Sequence, residues 1–244
     1  MGKGYFNFKR FVIFQNDKVF KLSTDSVLLG SIIPNSLQPP CILDIGAGTG
    51  IITLMMAQKF NSAFIDAIEK DVTSCQYLKK NISLSQWQNR ITPYCMSIQY
   101  YANKTITRYQ LIVSNPPFFN TDILPNTEEK KQFKHTVTLS YEELFNAANK
   151  LSTTNGIFYA TFPYNVLDEI IYIATQHNWH SFFIQKIKWT PNKDFERVIC
   201  GFNKNSLLPL QIDELCIYNQ NGRYSSAYKN ITKDFYLDKF WENH

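Results

Sequence analysis

Residues 41–50 read CILDIGAGTG. A short apolar run ends at Ile45 and opens at once into a loop with glycine at every second position. Unbroken apolarity over a few residues is the pattern of a strand buried on both faces of a parallel sheet. Gly46, Gly48 and Gly50 let the backbone turn tightly and approach a ligand closely, just before a helix N-terminus. IITLMMAQKF (51–60) reads as that helix. Strand, glycine loop and helix in this order open a doubly wound α/β fold.

The alternation continues outward. Upstream, FNFKRFVIFQ and KVFKL read as two short strands about a turn at Asn16-Asp17. A helix in TDSVLLGSII follows, ended by Pro34, Pro39 and Pro40. Downstream, AFIDAIE is a strand, VTSCQYLKKNISL a helix, RITPYC and YQLIVS strands, and YEELFNAANKL a helix. GIFYATFP is a strand and NVLDEIIYIATQ a helix, before FFIQKIKW, FERVICGF and LQIDELCIY as further strands. Such alternation predicts a parallel sheet with helices on both faces, and the strand-rich end predicts an antiparallel edge. Residues 115–139 form the longest stretch without periodicity, the mark of a functional lid or of disorder. With no repeat, linker or low-complexity tract, one domain over 1–244 is expected.

Composition narrows the partners. Against 25 Lys and Arg stand 20 Asp and Glu, a net charge of +5, which permits a polyanionic partner without demanding one. The five cysteines are an odd number without a Cys-x-x-Cys pair, and several lie in apolar runs, so buried reduced thiols are expected. MGKGYFNFKRF lacks the apolar core of a signal peptide, and Phe6 stands where a myristoylation signal needs Ser or Thr. No apolar run nears the roughly 18–20 residues that span a bilayer. A soluble, cytoplasmic chain is the expectation. His177 and His180 are three residues apart but have no cysteine or carboxylate cluster beside them, so no metal is expected.

The ligand is read from the glycine loop and its neighbours. Glu69 ends the next strand, where a carboxylate can accept hydrogen bonds from ribose hydroxyls. A plain strand-to-helix turn is the bland alternative. A nicotinamide dehydrogenase is the sharper one, but its fingerprint is G-x-G-x-x-G, whereas this loop is G-A-G-T-G preceded by Asp44. An acid two positions before the first glycine sits badly beside a pyrophosphate and suits a cationic amino group. S-adenosylmethionine combines a ribose, an adenine and such a tail. Asp44, Gly46, Ala47, Gly48, Thr49, Gly50, Glu69 and Lys70 are the expected cofactor set.

LIVSNPPFFN (111–120) carries the second motif. A conjugated amine is a poor nucleophile because its lone pair is delocalised into the ring. Two acceptors on its N–H bonds would help localise that pair. Asn115 offers a side-chain carbonyl, and Pro116 a backbone carbonyl whose orientation Pro117 restricts. Phe118 can stack on the target base. A proline turn with a packed aromatic is the structural alternative.

A D-x-G-x-G-x-G loop followed by N-P-P-F resembles the amino-group methyltransferases of the Rossmann-like, S-adenosylmethionine-dependent class. That resemblance implies a three-layer αβα fold around a seven-stranded, mostly parallel sheet, and a planar conjugated –NH2 as target. It carries catalytic roles onto Asn115, Pro116, Pro117 and Phe118, with Asn115 also touching the cofactor. FKRFVIFQNDKVFKLSTDSVLLGSII and YSSAYKNITKDFYL resemble the leader and tail of one bacterial family. That family is the tRNA (adenine-N6) methyltransferases that act beside the anticodon of a valine tRNA. The likeness implies a leader over 1–36 packed on the cofactor site and a core over 37–244. It sets Lys21, Thr24 and Asp25 against the cofactor's methionine end. Ser97 stands where the family has Asp at the cofactor adenine, a weaker acceptor. The family's basic loop residue falls at Lys134 or His135.

Without room for a separate recognition domain, the rim itself must bind the polymer. Lys9 and Arg10 interleave with Tyr5, Phe6, Phe8, Phe11 and Phe14. Arg223 and Lys229 interleave with Tyr224, Tyr228, Phe235, Tyr236 and Trp241, and Lys130, Lys131 and Lys134 follow Phe119. Cations would meet phosphates and aromatics would stack on unpaired bases. The alternative is that the aromatics are core and the lysines a solvated face. The expected function is methyl transfer to adenine N6 of tRNA. Open alternatives are guanine N2 of ribosomal RNA, a protein glutamine, or a non-catalytic RNA-binding scaffold.

Overall fold

A computed structural model describes residues 4–15, 23–116, 139–205 and 207–242. A hairpin of β1 (Tyr5–Asn7) and β2 (Val12–Phe14) comes first, followed by α1 (Thr24–Ile32). The glycine-loop unit is β3 (Cys41–Ile45) and α2 (Ile51–Lys59), followed by β4 (Phe64–Glu69), α3 (Val72–Ser83), β5 (Ile91–Cys95), α4 (Ile98–Lys104) and β6 (Tyr109–Ser114). Then come α5 (Tyr141–Leu151), β7 (Ser152–Pro163), α6 (Leu167–Gln176), β8 (His180–Lys188), β9 (Arg197–Asn203), β10 (Gln211–Cys216), α7 (Ser226–Thr232) and α8 (Lys239–Glu242).

The main sheet runs β10-β8-β9-β7-β6-β3-β4-β5. It has eight strands rather than the expected seven, because β10 adds in parallel to β8. The expected antiparallel edge is also corrected. The one reversed strand, β9, is inserted between β7 and β8, pairing antiparallel to both, and the edge strand β10 is parallel. A short β8–β9 connection can only reverse direction, whereas each parallel neighbour needs a crossover.

Side chains alternate between two cores, as a period of two requires. Ile42, Leu111, Val113 and Tyr159 face the cluster formed with α1, α2, α3 and α7. Leu43, Ile45, Ile112, Phe158 and Ala160 face the cluster formed with α4, α5 and α6. Three layers result. Helix α4 went unread in the sequence; seven residues capped by Ser97, whose hydroxyl accepts from Tyr100 N, leave little periodicity to detect.

FNFKRFVIFQ, expected as one strand, folds back on itself as a hairpin turning at Phe8–Phe11, where Phe8 N donates to Phe11 O at 2.9 Å. Residues 16–22, with KVFKL and the expected turn at Asn16-Asp17, lie outside the described residues. Phe8 bridges to Tyr236, and Lys9 N donates to Phe235 O at 2.8 Å, so the two ends of the chain are joined. Two thiols expected to be free are not. Cys75 and Cys95 form a disulfide with Cα atoms 5.7 Å apart, because α3 returns against β5. Among the described residues no helix is long and apolar enough to cross a membrane.

Asn81 of α3 ties the hairpin to the glycine loop. Its Oδ1 accepts from Phe14 N at 2.9 Å, and its Nδ2 donates to Phe14 O at 3.0 Å and to Thr49 O at 2.8 Å. The side chain is 1% exposed, so truncation strands backbone groups that water reaches poorly. Asn81→Ala is expected to destabilise the fold by about 3 kcal/mol in urea unfolding. A loss below about 1 kcal/mol would show that these bonds add little net stability.

Candidate active site

Strand register assembles the site. Ile45 pairs with Ile68 on one side and with Ser114 on the other, and Ser114 Oγ donates to Ile45 O at 2.8 Å. The residues one step further on, Glu69, Gly46 and Asn115, therefore leave the sheet side by side at its carboxyl edge. Neighbouring strands are about 4.8 Å apart, so Glu69 and Asn115 are separated by roughly 10 Å of sheet, the span of a nucleoside. Open α/β sheets bind ligands at this edge.

Gly46, Gly48 and Gly50 all adopt positive φ, at 72°, 57° and 92°. A Cβ at Gly46 or Gly48 would meet nothing within 4 Å, so the loop's outer side is open to a ligand. At Gly50 it would come within 2.8 Å of Leu78 Cδ1, so that glycine serves helix packing. Gly46 N and Ala47 N both donate to Ile68 O, which pins the loop to β4. Glu69 accepts from Gly48 N at 2.8 Å through one carboxylate oxygen and from Asp71 N at 2.7 Å through the other. Each oxygen keeps a lone pair for a further donor, as a ribose diol requires. Lys70 is exposed beside it.

Asp44 is fully buried, accepting from Thr53 Oγ1 at 2.5 Å. Burial pushes its carboxyl up to about 7, against the Thr53 hydrogen bond, and the nearby Glu69 charge raises it further. Thr49 is buried too. Ser97, expected at the adenine, caps α4, which leaves its hydroxyl proton and one lone pair available.

Asn115 is held from α1. Its Nδ2 donates to Ser26 Oγ at 2.9 Å and reaches Ser23 Oγ at 3.5 Å. Its Oδ1 is buried and has no hydrogen-bond partner among the described residues. Thr24 and Asp25 lie in the same first turn. Asp25 Oδ2 accepts from Arg197 Nε at 3.2 Å, and burial raises its carboxyl while the guanidinium opposes the rise. Ser23, Ser26, Asn81 and Arg197 were not singled out from the sequence: Ser23 and Ser26 sit in the run STDS, where a helix start accounts for them, and Asn81 and Arg197 carry no spacing signal. Pro116 is buried next to Asn115. Lys21, Pro117, Phe118, Lys130, Lys131, Lys134 and His135 lie outside the described residues.

The aromatic rim is corrected. Phe8, Phe11, Tyr228, Phe235 and Tyr236 are core residues. Phe8 stacks on Phe11 and Tyr236, and Tyr236 on Phe240 with centroids 4.2 Å apart, so these rings join the chain ends instead of facing bases. Of the expected cations, Lys9 pairs with Asp238 at 2.8 Å and Lys229 lies over Trp241. Arg10 is exposed against Trp87, and Arg223 is exposed. His177 pairs with Glu142 at 2.7 Å.

Comparison with known proteins is specific. Residues 13–159 match the methyltransferase small domain. The chain is 35% identical to the tRNA1(Val) (adenine(37)-N6)-methyltransferase of Proteus mirabilis, over 96% of this chain and 94% of that one. The protein of the same name from Flavobacterium johnsoniae is 34% identical, over 95% and 99%. The chain belongs to this family. Family membership agrees with solved structures too distant to show more than fold. A predicted O-methyltransferase from Agrobacterium tumefaciens superimposes with a TM-score of 0.68 at 15% identity, covering 86% of this chain and 96% of that one. TYW2 of M. jannaschii in complex with AdoMet gives 0.54 at 15%, covering 84% and 89%.

The Asp44 carboxyl sets a pH dependence. Its folded pKa of about 7 lies above the unfolded value of 3.8. The folded state therefore binds more protons between these values, and stability falls as pH rises through them. Urea midpoints for Asp44→Asn are expected to lack this part of the decline, so that the wild-type deficit relative to the variant grows from pH 5 to pH 8. A pH-independent difference would contradict the assignment.

Proposed function

We propose that this chain transfers a methyl group from S-adenosylmethionine to the N6 amine of an adenine in tRNA, adenine 37 of a valine tRNA, in the cytoplasm. The observation that carries the reading is the orientation of Asn115. Its NH2 is engaged by serine hydroxyls, and its carbonyl is left as an unpaired acceptor beside the glycine loop. The names of the family's relatives favour tRNA adenine over the other conjugated amines such a clamp could hold.

The residues present fit the cofactor. Open space over Gly46 and Gly48 admits it, Glu69 can take its ribose hydroxyls, and Ser97 sits at the end of β5 on the adenine side. Half-buried Asp25 and buried Asp44 are the acids assigned to its cationic tail. When bound, S-adenosylmethionine supplies a methyl group activated by a sulfonium. Asn115 Oδ1 and the Pro116 carbonyl accept the two N–H bonds of the target amine, which localises the nitrogen lone pair and aims it. Phe118 supports the base by stacking. The nitrogen forms its new bond to carbon as the carbon–sulfur bond breaks, and the surplus proton leaves to water. No ionisable base is required, because the alkylated amine is strongly acidic.

An adenine stacked in an anticodon loop must turn outward to reach Asn115, at a cost of a few kcal/mol. Lys9, Arg10, Arg223 and Lys229 are the described cations assigned to phosphates. Incubation with labelled S-adenosylmethionine and unmodified total tRNA, followed by digestion to nucleosides, is expected to place label in N6-methyladenosine. Label absent from that nucleoside would overturn the reading. Asn115→Ala is expected to lower kcat by about a hundredfold or more while cofactor affinity stays nearly constant. Equal loss of both would contradict the clamp.

A further inference from the structure

Two serines outside the glycine loop and the N-P-P-F turn contact the amide that the proposed chemistry depends on. Ser26 Oγ lies 2.9 Å from Asn115 Nδ2, and Ser23 Oγ lies 3.5 Å from it. The hydroxyls are 3.0 Å apart and hydrogen-bonded to each other. Ser23 Oγ also accepts from Ser26 N at 3.1 Å as the cap of α1. One hydroxyl proton is thus used between the two serines, and Ser26 Oγ accepts from Asn115 Nδ2. The opposite face of the same amide, Oδ1, is buried and unpartnered among the described residues.

An amide can act in this clamp in one sense only. With Oδ1 inward it accepts an N–H of the target amine. Turned by 180° it presents N–H to N–H, and the amine lone pair gains nothing. The two orientations have nearly the same shape, so packing cannot separate them and hydrogen bonding must. We propose that Ser23 and Ser26 are positioning residues that hold the Asn115 amide with its carbonyl toward the target amine. The inference rests on the methyl-transfer reading above and deepens it. The N-terminal turn of α1 thereby governs a residue 89 positions away in the chain. That adds a second task to a segment otherwise assigned to the cofactor.

Ser26→Ala separates this role from a structural one. The variant keeps the backbone N–H that Ser23 caps, so α1 is expected to persist with little change in thermal midpoint. Its kcat for tRNA methylation is expected to fall roughly tenfold, one lost hydrogen bond's worth of orientation. KM for S-adenosylmethionine should be unchanged, and Ser26→Thr, which restores a hydroxyl, should recover most of the rate. Wild-type kcat in Ser26→Ala, or a fall matched by lost cofactor affinity, would overturn the proposal. A second measurement does not depend on turnover. The Asn115 side-chain NH2 protons, assigned by their absence in Asn115→Ala, should exchange with solvent at least about tenfold faster in Ser26→Ala than in the wild type. Equal exchange overturns the positioning role even if methylation of tRNA were never detected. Faster exchange without wild-type methylation would support the contact and sink only the proposed reaction.

Discussion

Parallel pairing of β3 with β4 on one side and β6 on the other, in a register that aligns Ile68, Ile45 and Ser114, is the constraint on which the site depends. Each strand then delivers its next residue to the same edge. Gly46 opens the loop, Glu69 pins it and supplies carboxylate oxygens, and Asn115 supplies the amide. A slip of one residue would turn every side chain of a strand to the other face. The two apolar clusters forbid it, since Ile42 and Val113 belong to one and Leu43 and Ile112 to the other. Core packing thus fixes the geometry of polar groups that contribute little to the core.

The remaining elements secure that edge. Asn81 joins the N-terminal hairpin to the glycine loop through three hydrogen bonds. Lys59 at the end of α2 donates to the carbonyls of Gly30, Ser31 and Ile33, closing the C-terminal end of α1. Its other end presents Ser23, Ser26 and Asp25 to the site. Arg197 of β9, the single reversed strand of the sheet, reaches Asp25. The terminal aromatics hold the hairpin against α7 and α8. Each of these contacts joins distant parts of the chain, and truncating a buried side chain such as Asn81 is costly because it strands its partners.

Much of the fold was legible. Strong periodicity gave β3, α2, β4, α3, β6 and α5 nearly to the residue, and the glycine loop fixed the architecture. The failures have particular causes. FNFKRFVIFQ was read as one strand because its apolar residues resume directly after Lys9-Arg10, yet backbone pairing folds it back at Phe8–Phe11. The strand β10 was read, but its addition as an eighth, parallel strand was not, because pairing partners are absent from local pattern. The terminal aromatics looked like a base-stacking rim, because composition cannot distinguish rings that face solvent from rings that face one another.

By itself the sequence determined the element types, the glycine loop with its acidic neighbours and the amide of the N-P-P-F turn, since period, glycine and proline act over a few residues. Tertiary structure alone decided which way that amide faces, that Asp44 is buried deeply enough to hold its carboxyl near 7, and that Cys75 meets Cys95. Those properties arise between residues brought together from distant parts of the chain. Hydrogen-bond direction, desolvation and proximity belong to the packed arrangement, and no local pattern encodes them.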